Sequence, residues 1–83
     1  MVAKERIQRL FDAAEIQVSA STLDESAPLA QQGLDSLDMA NLLFQIEQAC
    51  KSTIAPEESA RLRTLGDITG YIERAQSAGA WHE

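Results

Sequence analysis

The stretch Gly33-Leu34-Asp35-Ser36-Leu37-Asp38 decides how this chain is read, because a long polar run ends there and a clearly periodic helix begins. Asp35 is placed to be the N-cap, its carboxylate accepting from the first free N–H groups. Asp38, three residues on, completes a capping-box pattern. Ser36 then becomes the first helical residue. A hydroxyl there faces solvent beside unpaired N–H groups and the positive end of the helix dipole, so an anion joined to it is favoured by ~0.3–1 kcal/mol. The position suits a phosphate ester. The competing reading is a plain capped helix in which Ser36 has no further role.

Outward from Ser36, the spacing predicts a helix over 36–51. On a 100° wheel Met39, Leu42, Leu43, Ile46 and Cys50 share a face, which is expected to be core. The opposite side carries Leu37, Ala40 and Phe44, interleaved with Asn41, Glu47 and Gln48. A helix on the outside of a small bundle needs one buried face only. The second apolar stripe is therefore either covered by the long loop or the last helix, or forms an exposed patch beside the serine on which a partner docks.

Upstream, Ala3, Ile7, Leu10, Phe11 and Ala14 recur at spacings of three and four, predicting a helix over about 2–15. Residues 17–35 form a long connection with Val18, Leu23 and Leu29 as its available anchors, and a loop of that length in a compact domain is normally functional or anchored. Downstream, Ile54 points inward and Pro56 suits the first position of a short third helix, 56–63, with Leu62 as its main apolar contact. Thr64 and Asp67 form a second capping box opening a helix over 65–77, with Leu65, Ile68, Ile72 and Ala75 on one face. Gly66 and Gly70 cost that helix about 1 kcal/mol each relative to alanine. Residues 1–77 are expected to form one domain and 78–83, which include Trp81, a frayed tail.

Composition narrows the function. With 45% hydrophobic residues but four aromatics in 83 residues, the core must be aliphatic, which fits packed helices. A net charge of −6 opposes nucleic-acid binding and favours a basic protein surface as partner. Cys50 is the sole cysteine and reads as a small buried apolar residue. No signal segment or long apolar run is present, which reads as a cytoplasmic chain. The only histidine, His82, lies in the tail, and no nucleophile elbow, phosphate loop or metal-ligand spacing occurs, so the chain reads as a substrate of enzymes and not as an enzyme.

Asp35-Ser36-Leu37 at a helix start resembles the attachment site of the acyl carrier protein family. Gly33-Leu34 before it, Ile54-Ala55-Pro56-Glu57-Glu58 and Thr64-Leu65-Gly66-Asp67-Ile68 after it extend the resemblance from Ile7 to Ile72. It implies an all-α, four-helix acyl-carrier-type bundle with a long loop between helices 1 and 2 and a short third helix. It further implies that Ser36 carries 4′-phosphopantetheine from coenzyme A, with Asp35 and Leu37 as motif residues. The partners implied are a phosphopantetheinyl transferase and acyl-loading, condensing and modifying enzymes of fatty-acid, polyketide or related lipid biosynthesis, with basic docking surfaces. They would dock a monomeric carrier along Leu37, Asp38, Ala40, Asn41, Phe44, Glu47 and Gln48. The aliphatic core would let an acyl chain slip between the helices.

Pro28-Leu29 before the signature resembles carrier domains of polyketide synthases. Three departures stand out: Gln32 where many members have leucine, and Asn41 and Gln48 where many have glutamate. They leave open how the loop is pinned and point to a dedicated set of partners. The alternatives are an aminoacyl or peptidyl carrier of a nonribosomal pathway and an unmodified helical adaptor using the Leu37/Phe44 face.

Overall fold

A computed structural model describes residues 4–51 and 53–79. Four helices carry the fold: α1 (Lys4–Ala13), α2 (Ser36–Cys50), α3 (Pro56–Ser59) and α4 (Leu65–Ser77), with no β-strand among the described residues. The all-α architecture, the long α1–α2 loop and the brief third helix are those the sequence predicts.

Amphipathic spacing explains the assembly. Ile7, Leu10 and Phe11 from α1, Leu42, Ile46 and Cys50 from α2, and Leu65, Ile68 and Ile72 from α4 are buried together. Each helix needs one face covered, and the other two supply it. α1 stops earlier than the predicted residue 15. Glu15 adopts the left-handed conformation (φ 60°), its N–H donating to the Asp12 carbonyl and the Ile16 N–H to the Phe11 carbonyl, a Schellman closure that turns Ile16 into the core. α2 likewise ends at Cys50, with Lys51 left-handed (φ 53°). Val2, Ala3 and the tail residues Ala80, Trp81, His82 and Glu83 lie outside the described residues.

The third helix also differs from the expected 56–63, ending at Ser59. Beyond it, the Arg61 and Leu62 N–H groups donate three residues back, to Glu58 and Ser59, tightening the chain so that Leu62 is buried. Arg63 is claimed by other elements. Its carbonyl accepts the Leu29 N–H at 2.9 Å, and its N–H donates to the Asp67 carboxylate at 3.2 Å. A helix running to Arg63 would turn that N–H back onto the Ser59 carbonyl and give up its bond to Asp67.

The α1–α2 loop is held from end to end. The Gln8 carboxamide oxygen accepts the Ala20 N–H at 2.9 Å, and Val18 and Leu23 pack half-buried against the core. Two single 3-10 turns, Ala20–Thr22 and Leu29–Gln31, bury Ala20 and Leu29. Pro28 pairs with Thr64 as an isolated antiparallel bridge, and the Gly66 N–H donates to the Glu25 carbonyl at 3.0 Å. The loop thus docks on the α3–α4 junction.

Candidate functional site

Ser36 stands exposed as the first residue of α2. The reciprocal capping box is present: the Asp38 N–H donates to Asp35 Oδ1 at 2.8 Å, and the Asp35 N–H donates to Asp38 Oδ2 at 3.2 Å. These bonds fix the helix start and turn both carboxylates toward backbone donors. Two residues upstream, Gly33 sits at φ +100°, where a side chain is strained, and a Cβ there would lie 3.3 Å from Val18 Cγ2. Leu34 is then fully buried, its N–H donating to the Leu29 carbonyl at 3.3 Å. Gly33 turns the chain, Leu34 anchors it, and Ser36 emerges at the surface.

Gln32, where leucine was expected, pins the loop by polar contacts. Its Oε1 accepts the Asp24 N–H at 2.7 Å, and its Nε2 donates to the carbonyls of Asp24 and Ala27, each at 3.0 Å. Sequence reading missed this clamp and the burial of Leu34. The signal for the first was a half-polar residue type at a position of apolar habit; the signal for the second was a leucine between two turn-forming residues.

The second stripe of α2 is exposed. Leu37 is 66% and Phe44 53% accessible, and Ala40, Asn41 and Gln48 are exposed beside them. Neither the loop nor α4 covers this face. Asp38 is half-buried within its cap. Glu47 faces a different task from the one expected of it: its Oε2 accepts the Ile54 N–H at 2.7 Å, securing the α2–α3 connection.

Met39 and Leu43, expected to be core, are only half-buried. They face a groove of about 350 Å³ whose other apolar walls are Pro28 and Ala30 from the loop and Ala60 and Leu62 after α3. Its Met39 edge is one helical turn from Ser36. Burial pushes the thiol of Cys50, at the far end of α2, above its ordinary range, consistent with an inert apolar role. No group of three or more His, Cys, Asp or Glu side chains among the described residues is placed to hold a metal.

The residues around Ser36 fit a phosphodiester on its Oγ. The hydroxyl is accessible, and it lies at a helix N-terminus whose two flanking acids are engaged by backbone N–H donors. In comparison with known families, the phosphopantetheine attachment site family matches residues 5–72. An acyl carrier protein of Rhodococcus erythropolis is 35% identical over 65 residues, covering 78% of this chain and 70% of the relative. One of Clostridium acetobutylicum is 31% identical over 63 residues, covering 76% and 74%. One of Chlamydia felis is 29% identical over 69 residues, covering 82% and 88%. No solved structure matches the chain. With the matched span running from α1 into α4 and including the exposed serine at the head of α2, the chain belongs to the acyl carrier protein family, carriers of acyl thioesters on phosphopantetheine.

Proposed function

We propose that Ser36 Oγ is the attachment point of 4′-phosphopantetheine and that the chain delivers acyl groups to the enzymes of a dedicated fatty-acid, polyketide or related lipid pathway in the cytoplasm. When bound, the group supplies a terminal thiol that holds the acyl chain as a thioester. The protein supplies the rest. Asp35 and Asp38 hold the helix start so that the hydroxyl stays at the surface, and Gly33 and Leu34 fix the approach of the chain to it. The observation that carries this reading is the exposed serine at the first position of a capped helix inside the family match.

The chain is worked on and has no catalytic step of its own. Its partners are a phosphopantetheinyl transferase, then acyl-loading, condensing and modifying enzymes. The exposed stripe of Leu37, Ala40 and Phe44 is where they dock, with Asn41 and Gln48 beside it and Asp35 and Asp38 meeting basic groups next to Ser36. Glu47 stands at the edge of this face, tied to Ile54. Tethering raises the local concentration of the cargo at each partner. Residues 1–77 act as one carrier domain and as a monomer. The groove between Met39, Leu43 and the loop takes the proximal part of the acyl chain. Incubation with coenzyme A and a broad-specificity transferase, followed by intact-protein mass spectrometry, tests the assignment: one phosphopantetheinyl group is gained by the wild type and none by Ser36→Ala.

A further inference from the structure

We propose that Gln32 is a positioning residue for the cargo, its carboxamide holding the loop that walls the groove beside Ser36. The inference rests on the reading of the groove given above. The Gln32 side chain spends its acceptor on the Asp24 N–H and both its amide hydrogens on the carbonyls of Asp24 and Ala27. All three partners are backbone groups, so the bonds set the path of residues 24–27 whatever their side chains. That path matters on both sides. Between the gripped residues lies Glu25, whose carbonyl accepts the Gly66 N–H at 3.0 Å and so joins the loop to the start of α4. Immediately after Ala27 comes Pro28, the first residue of the groove wall, followed by Ala30 opposite Met39 and Leu43. Gln32 itself is the residue before Gly33, so one side chain joins the groove wall to the segment that presents Ser36.

The physical consequence is preorganisation. A mobile loop has to be ordered when a chain enters the groove, and that cost is subtracted from binding, whereas a loop already clamped presents its wall without it. A leucine at position 32 supplies none of the three bonds, and an ionised glutamate accepts one and donates none. The position is half-buried, so water reaches the released backbone groups and the fold survives the change.

The experiment compares wild type, Gln32→Ala and Gln32→Glu, each carrying an octanoyl thioester on the thiol of a phosphopantetheine arm joined to Ser36, for the rate at which hydroxylamine cleaves the thioester at a temperature where all are folded. Amide hydrogen exchange is followed in the unloaded chains. The expected result is faster exchange at the Asp24 amide in Gln32→Ala, which loses its acceptor, and thioester cleavage about fivefold faster in both variants at neutral pH. Gln31→Ala, altering an exposed neighbour, matches the wild type in both readouts. Faster Asp24 exchange with unchanged cleavage overturns the proposal and leaves the groove reading standing. Cleavage of the wild-type thioester as fast as that of free octanoyl-coenzyme A overturns the groove reading, and this proposal with it.

Discussion

The carbonyl of Glu25 lies so close to Gly66 that a Cβ built there would sit 3.1 Å from its oxygen, while the Gly66 N–H donates to the same atom at 3.0 Å. The glycine lets the loop carbonyl close over the first turn of α4 and satisfy one of its orphan donors. Gly70, one turn on, has no such neighbour: a Cβ there meets only the Arg74 guanidinium, at 3.5 Å. Gly70→Ala should therefore stabilise the fold by about 1 kcal/mol through helix propensity alone. Gly66→Ala should lose that gain and destabilise by ~1 kcal/mol as the clamped carbonyl is pushed away. Thermal or denaturant unfolding of the two variants reads the contrast directly.

Phe44→Ala should change stability by less than about 0.5 kcal/mol, since more than half of the ring already faces solvent. Ile46→Ala, two residues along the same helix but fully buried, should cost ~2–5 kcal/mol. Denaturant unfolding measures both. Transfer by partner enzymes should weaken for Phe44→Ala at temperatures where the variant is fully folded.

A substitution outside the site tests the end of α1. Glu15 holds φ 60° and places a negative charge at the helix C-terminus, where the dipole disfavours it. A left-handed conformation costs a non-glycine residue roughly 1–2 kcal/mol, partly offset in glycine by its greater freedom in the unfolded chain. Glu15→Gly should raise stability by up to ~1 kcal/mol, visible as a higher melting temperature.

The pH dependence has a defined sign. N–H donors from Thr64 and Arg63 hold the Asp67 carboxyl below its ordinary value of 3.8. A group whose folded pKa is depressed contributes stability that is fully present above its unfolded pKa and is lost as pH falls through the folded one. The contribution from Asp67 should thus persist through neutral pH and disappear below about 3.8. Melting temperature followed against pH should fall less steeply in that acid window for Asp67→Asn than for the wild type, from a lower neutral starting point.

What could be read from the sequence was what is local. The capping boxes Asp35–Asp38 and Thr64–Asp67 depend on residues three apart, and the double-faced character of α2 depends on helical period, so spacing alone exposes them. The starts of α2, α3 and α4 and the end of α4 were legible in the same way, whereas the C-terminal ends of α1, α2 and α3 were not. The Arg63 N–H is taken by the Asp67 carboxylate and not by a carbonyl one turn back, and Glu15 and Lys51 turn left-handed without the glycine that usually marks such a turn. The wheel also counted Met39 and Leu43 as core, whereas they are half-buried on a groove shared with the loop and residues 59–63, which spacing within one helix does not report. The Gln32 clamp and the Glu47–Ile54 bond join residues five to eight apart in irregular segments, where no periodicity reports them.

The central claim concerns a single oxygen atom, and localising the added mass tests it most directly. After incubation with coenzyme A and a phosphopantetheinyl transferase, the protein is digested and the peptide spanning Gly33 to Asp38 is fragmented in the mass spectrometer. The account predicts one phosphopantetheinyl group, carried on Ser36. An unmodified peptide, or the group found on another residue, would contradict it.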